Sequence, residues 1–210
     1  MTTAEQGIRG WLEALASDAA TPGGGAAAGV AAATGAGLIS MVGRLTIGRP
    51  GFEDVEQRMK AVIERADELR AAFLELADRD AEAFGSVMDA FRLPKDSDDE
   101  RAARTMRIQQ AYDDAAAVPL ELAERAVDLM EPAEDATAMG NPHASSDGYC
   151  AGTLLHAAAL AAIANVRINA AGLKDEGKAQ GLVDRCDALR ERADLLLQQV
   201  EEAFLLRLAR

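Results

Sequence analysis

Apolar positions recur at helical spacing along nearly the whole chain. Ile8, Trp11, Leu12 and Leu15 fall at i, i+3, i+4 and i+7 and predict a short helix over about 5–17. Thr21-Pro22-Gly23-Gly24-Gly25 then breaks the chain and opens a second helix over about 24–46. Its Gly25, Gly29, Ala33 and Gly37 sit four apart and give a flat face for close backbone packing. After the turn Gly48-Arg49-Pro50-Gly51, an amphipathic pattern runs from Phe52 to about Phe91. Leu93-Pro94 ends it, and Lys95 to Asp99 reads as an exposed loop with an N-cap at its far end. A further helix is predicted over about 98–130, kinked or divided at Pro119, followed by a short helical turn over 133–139.

The stretch Gly140–Gly172 differs from the rest. It opens on a polar loop, Gly140 to Asp147, crosses a span without formal charge from Gly148 to Val166, and closes on Asn165-Val166-Arg167-Ile168-Asn169. Ser145 or Ser146 is the expected N-cap and Gly172 lies near the expected C-cap. A charged amphipathic helix over about 175–208 completes the chain. There is no alternating strand pattern, no Asn-Gly or Asp-Gly hairpin between apolar runs, and no repeat of fixed period. The pattern predicts an all-α bundle of six to seven helices in a single domain covering residues 1–210.

The helices over about 24–46 and 147–171 are nearly uncharged on every face. A helix apolar all round must be buried all round, so these are expected at the centre with the amphipathic helices around them. Their small-residue faces also suit a second subunit, most simply in a two-fold homodimer. Residues 19–43 carry no charge over a length that spans a bilayer. That segment is mostly Ala, Gly, Thr and Ser, which transfer weakly into lipid, so a buried helix of a soluble protein is expected.

Composition narrows the functional classes. Among 210 residues, aromatics are 4% and charged residues 27%, which favours helix over a β-sandwich. A formal net charge of −13 repels phosphate backbones and anionic lipid, which argues against nucleic-acid and membrane-surface partners. Cys150 and Cys186 read as reduced thiols of a cytoplasmic protein, and no secretory signal is evident at the N-terminus.

Local chemistry points to a ligand site. The successive glycines of Thr21 to Gly25 leave backbone N–H groups uncovered at the positive end of a helix dipole, where a carboxylate or carbonyl can approach. Ala28 stands where a dinucleotide fingerprint needs glycine, and a Walker loop is excluded by the missing Gly-Lys-Ser/Thr. Asp147 falls in the first turn of its helix, close to Asn141 and Pro142 of the preceding turn. Asn165 and Asn169 are four apart and share a helix face. Eighteen residues separate Asp147 from Asn165, ~27 Å along a continuous helix, so the two ends serve one site only through a long ligand or a second subunit. Asp80 shares a face with Phe84, near the core stripe of the long helix, an unusual place for a carboxylate. His143 and His156 have no metal-ligand spacing around them, and neither a nucleophile elbow nor a Ser/His/Asp set is visible.

Taken together the segments resemble the cyclodeaminase domain of formiminotransferase-cyclodeaminase and the related stand-alone methenyltetrahydrofolate cyclohydrolases. The matching pieces are TPGGGAAAG with LISMVGRLTIG, GFEDVEQRM, DRDAEAF, AFRLPKDSDDERAARTMRIQQA, VPL, GN followed by SDG, and NVRINAAGLKDE, in order from about residue 11 to 176. The loop after Leu93-Pro94-Lys95 and the lone-domain length look more like the cyclohydrolases. The resemblance implies an all-α dimeric enzyme that works without a metal or any cofactor beyond its tetrahydrofolate substrate. Carried onto this chain, its motif positions are Thr21, Pro22, Gly23, Gly24, Gly25, Asp80, Asn141, Ser146, Asp147, Asn165 and Asn169. Two departures stand out: Arg49-Pro50-Gly51 replaces a turn often rich in lysine, and Tyr149 and Cys150 follow Ser-Asp-Gly where smaller residues are usual.

The residue types suit that chemistry. 5,10-Methenyltetrahydrofolate carries a cationic amidinium carbon that water attacks to give 10-formyltetrahydrofolate. A carboxylate stabilises the cation and takes a proton from the water; Asp147, then Asp80, are the candidates. Glycine N–H groups and asparagine amides would orient the pterin, and Arg44, Arg49, Arg167 and Lys174 are candidates for the anionic glutamate tail. The same carbon is the centre of the cyclodeaminase reaction, in which N10 displaces ammonia from 5-formiminotetrahydrofolate. A non-catalytic helical folate-binding or scaffold protein is the remaining reading.

Overall fold

The computed structural model describes residues 2–209, and their order is entirely helical. After a 3₁₀ turn at Thr3–Glu5, the α-helices are α1 (Ile8–Leu15), α2 (Gly24–Arg44), α3 (Glu56–Arg92), α4 (Asp98–Met139), α5 (Ser145–Ala170) and α6 (Glu176–Leu208). Further 3₁₀ turns at Glu53–Val55 and Pro142–Ala144 lead into α3 and α5.

Local signals explain most of the boundaries. Ser97 caps α4 by accepting from the Glu100 N–H at 3.2 Å, and the Glu100 carboxylate accepts from the Ser97 N–H at 2.9 Å. Asp175 caps α6 by accepting from the Lys178 N–H at 3.0 Å. Three expectations need correcting. α4 runs unbroken through Pro119 and Pro132 and absorbs the separate turn expected over 133–139. Neither Ser145 nor Ser146 caps α5: the Asn141 side chain caps the preceding 3₁₀ turn, accepting from the His143 N–H at 3.1 Å, and that turn runs straight into the helix. On α1 only Trp11 is buried, while Ile8 and Leu12 are 81% and 51% exposed.

The main core is built by α2, α3, α4, α5 and α6 around fully buried side chains such as Ile39, Phe73, Met130, Leu155 and Val166. The small-residue face of α2 meets α3. A Cβ on Gly29 would come within 2.7 Å of the Phe73 carbonyl oxygen, so here backbone packs on backbone. α2 and the segment Pro142–Ala170 are long and apolar enough to cross a membrane, but each packs its inner face into this core. α5 departs from burial all round: Ser146, Cys150, Thr153, Ala157, Ala164 and Ile168 form an exposed face without charge. A second cluster, Val87 and Ala90 of α3 against Ile108, Ala111 and Ala115 of α4, closes one end of the bundle.

Candidate active site

Beside that second cluster, the N-terminus of α2, the second half of α3, the C-terminal end of α5 and Tyr112 of α4 enclose a cavity of about 420 Å³. Each wall follows from its sequence. Gly23 occupies the N-cap of α2 without a side-chain cap bond, so the first-turn N–H groups are left open where Gly23 and Gly24 line the cavity. On α3, Asp80, Phe84, Val87 and Phe91 recur at helical spacing and line one wall together with Met88. Phe84, Met88 and Phe91 stay 39–43% exposed because this stripe borders the cavity and not the core.

Asp80 is the only carboxylate among the described residues of the lining. Among the described residues no hydrogen bond or ion pair reaches it, and burial pushes its pKa above the ordinary aspartate value. It sits directly against α2: a Cβ on Gly25 would stand 2.2–2.3 Å from all three carboxyl-group atoms. Glycine at 25 is what lets the carboxylate lie beside the first turn of α2.

Asn165 and Asn169 complete the polar lining from α5. Asn165 Nδ2 donates to the Ala161 carbonyl at 2.9 Å, and Asn169 Nδ2 donates to the Ala115 carbonyl of α4 at 2.8 Å. A carbonyl accepts only, so each bond fixes which end of the amide is nitrogen and leaves Oδ1 as an acceptor. The cavity thus offers a carboxylate, two amide oxygens and the open N–H groups of a helix start, set between aromatic and apolar walls. This suits a flat, cationic heterocycle rich in N–H donors.

Tyr112 is fixed by its surroundings. It meets Phe91 edge-on, with ring centroids 6.1 Å apart, and the chain passes over its face at Gly172, where a Cβ would come within 2.5 Å of the ring. Gln109 holds that turn by donating to the Gly172 carbonyl at 3.0 Å and accepting from the Lys174 N–H. Arg104 stacks 5.6 Å above Phe91 and donates to its carbonyl through Nη2 at 3.0 Å.

Thr21, Gly23, Gly24, Asp80, Asn165 and Asn169 therefore meet in one cavity, with Gly25 behind the carboxylate and Pro22 in the same loop. The structure does not bring the opposite end of α5 to them within one chain. Asp147 is half-buried in the first turn of α5 and Ser146 beside it is exposed. Asn141 is bound into its own corner: its N–H donates to Thr46 Oγ1 at 2.8 Å and its Nδ2 to the Leu45 carbonyl at 3.2 Å. Of the cations, Arg44 pairs with Asp67 and Arg167 with Asp187, while Arg49 is exposed beyond the far end of α2. Only Lys174 follows a turn packed against the cavity wall. Tyr112, Phe91, Met88 and Ile168 were not anticipated as lining residues. The available signal was the placing of two aromatics, Phe84 and Phe91, about two turns apart on one face of α3 in a chain with few.

The family model described as Formiminotransferase-cyclodeaminase matches residues 7–188. The chain is 38% identical over 195 residues to a methenyltetrahydrofolate cyclohydrolase of Methylorubrum extorquens, covering 93% of this chain and 94% of that protein. It is 35% identical over 169 residues to a formimidoyltransferase-cyclodeaminase of Mus musculus, covering 80% of this chain and 31% of that longer protein. In structure it is similar to a formiminotetrahydrofolate cyclodeaminase of Thermotoga maritima, with a TM-score of 0.86 at 29% identity over 96% of both chains.

Proposed function

The chain belongs to the formiminotransferase-cyclodeaminase family, and from that premise we propose that it hydrolyses 5,10-methenyltetrahydrofolate to 10-formyltetrahydrofolate. The observation that carries the chemistry is the Asp80 carboxylate: half-buried, without a hydrogen-bond or ion-pair partner among the described residues, and sharing with Asn165 and Asn169 of α5 the lining of a cavity of about 420 Å³. The similarity to a cyclohydrolase along nearly the full length of both chains supports hydrolysis as the reaction.

The methenyl carbon is held between N5 and N10 with a positive charge delocalised over all three atoms. An ionised Asp80 beside it stabilises that charge and accepts a proton from water as the oxygen bonds to carbon. The carbon–N5 bond then breaks, its electron pair is protonated at N5, and loss of the hydroxyl proton leaves the formyl group on N10; one proton is released overall. Asn165 Oδ1 and Asn169 Oδ1 accept from pterin N–H groups, and the first turn of α2 donates to the pterin carbonyl. Phe84, Phe91 and Tyr112 flank the aminobenzoyl ring, and the glutamate tail leaves past Phe91 toward Arg104 and Lys174.

The protein acts as a two-fold homodimer joined through the exposed uncharged face of α5. Antiparallel pairing of α5 about Ala157 would align position 146 with 168 and position 147 with 167, bringing the partner subunit's Asp147 to the end of α5 that carries Asn165 and Asn169. The two polar ends of α5 then serve one site, with Asp147 as a second negative charge near the cation. Release of ammonia from 5-formiminotetrahydrofolate uses the same carbon and the same groups, and the likeness to the Thermotoga maritima cyclodeaminase favours it as the second reading.

The test is direct: mix purified protein with methenyltetrahydrofolate, follow loss of its near-ultraviolet absorbance, and repeat from formiminotetrahydrofolate. Fast loss in the first assay supports the hydrolase, methenyl formation in the second the deaminase, and no turnover in either removes the enzymatic reading.

A further inference from the structure

Pro119 lies within α4, buried, at a position where the sequence predicts a kink or a division and the helix is not divided. Proline has no N–H, so the carbonyl four residues earlier, that of Ala115, loses its intrahelical donor. Ala115 is itself buried, at 5% exposure, and lines the cavity. An unpaired carbonyl there would be costly, and its donor is the Asn169 side chain, Nδ2 to oxygen at 2.8 Å. That bond orients the Asn169 amide with Oδ1 as the free acceptor.

We propose that Pro119 is a positioning residue of the active site: by withholding its N–H it frees the Ala115 carbonyl to hold Asn169 in its substrate-accepting orientation. The inference rests on the proposed folate reaction for its consequence, but not for its structural content. With an ordinary residue at 119, the backbone N–H claims the Ala115 oxygen. The Asn169 amide then competes for an occupied acceptor and is free to rotate.

The experiment compares wild type, Pro119→Ala, and a variant carrying lactic acid at position 119, which replaces the amide by an ester and so, like proline but without the ring, offers no N–H at this position. Pro119→Ala is expected to raise KM about fivefold to tenfold with kcat little changed, while Tm holds or rises because a helix-interior proline is removed. The ester variant is expected to return KM toward wild type. In an Asn169→Ala background Pro119→Ala should leave KM unchanged, whereas in an Asn165→Ala background it should raise KM as before. In nitrogen-edited NMR spectra the Asn169 side-chain NH₂ signals should show a hydrogen-bonded, slowly exchanging proton in wild type and the ester variant, and lose it in Pro119→Ala. An unchanged Asn169 signal in Pro119→Ala overturns the proposal, whether or not the folate assay shows turnover. So does an equal rise of KM with and without Asn169. If the folate reading alone is wrong, turnover is absent throughout while the NMR change persists.

Discussion

The two ends of α5 carry similar residue types and use them differently. At the N-terminal end, Asn141 donates to the Leu45 carbonyl, accepts from the His143 N–H, and its backbone N–H is taken by Thr46. Arg207 of α6 reaches into the same corner and donates to the Gly140 carbonyl at 2.9 Å. At the C-terminal end, Asn165 and Asn169 each spend one donor on a carbonyl and, among the described residues, keep the amide oxygen free, in a cavity whose carboxylate has no partner among those residues either. The first end fastens α4 to α5 and to α2; the second keeps unsatisfied polar groups in a cavity. A ligand site is recognised by what its polar groups have left over, not by their number.

The largest effect is expected at Asp80. Asp80→Asn should lower kcat/KM about 10³-fold, within the range of general-base contributions. It should also raise Tm at neutral pH by a few degrees, roughly 2–4 °C for each kcal/mol recovered in a chain of this size. The sign follows from burial: the folded-state pKa lies above the unfolded one, so the ionised carboxylate destabilises the fold at neutral pH. The Tm difference should therefore shrink as pH falls through the folded pKa toward the unfolded value. The acid limb of kcat/KM in wild type should likewise lie above the ordinary aspartate range. An Asp80→Asn protein less stable than wild type at neutral pH would contradict this account of the carboxylate.

Gly25→Ala is the next largest. The added Cβ would overlap the Asp80 carboxyl group and displace it. A side-chain end can move, and alanine favours helix, so the protein should fold. Activity should fall about 100-fold, the scale of loss when a reacting group is moved by about an ångström. Normal activity in a well-folded Gly25→Ala protein would separate the carboxylate from the chemistry.

Asp147 tests whether the two ends of α5 combine. In the proposed dimer the partner subunit supplies it as a second charge near the cation, and Asp147→Asn should then cost roughly tenfold, the equivalent of ~1.4 kcal/mol. Co-expressing Asp147→Asn with Asp80→Asn should restore about a quarter of wild-type activity, because half the random dimers are hybrids and each hybrid has one intact site. Activity no greater than the average of the two parent proteins would confine Asp147 to its own end of α5.

Much of this arrangement was legible in the chain. The long stripes of α3 and α6 and the uncharged runs of α2 and α5 follow from periodicity, and Asp80 stood out as a carboxylate near a core stripe. Periodicity identifies a face without saying what covers it, however. Phe84 reads as part of the core stripe and proves, with Met88 and Phe91 further along the same helix, to be half-exposed cavity wall. Of the kink or division expected at Pro119, the division did not occur, for a related reason: the cost of a helix-interior proline depends on whether the carbonyl it releases finds another donor. That donor is Asn169, fifty positions away in sequence and invisible to any local window. Tyr112 gave no signal because the cause of its placement, Gly172 against its ring, is also a contact between distant segments.

The smallest effect is the most discriminating, because it separates two asparagines that share a face. Asn165 donates to a carbonyl of its own helix, so Asn165→Ala breaks no bond between helices, and alanine's helix propensity should hold or slightly raise Tm. Asn169 donates across to α4, so Asn169→Ala leaves the Ala115 carbonyl unpaired and should cost about 1–3 kcal/mol of stability. Both lose an acceptor facing the cavity, and each should raise KM by roughly tenfold or less, the worth of one hydrogen bond, with a smaller change in kcat. Equal binding losses with unequal stability losses are the signature of one shared role and one private role. If Asn165→Ala leaves KM unchanged while Asn169→Ala raises it, the α5 acceptor is single and the pterin is held from the α4 side. If Asn165→Ala destabilises the fold as much as Asn169→Ala, the distinction between a side chain bonded to its own helix and one bonded across helices fails at this end of α5.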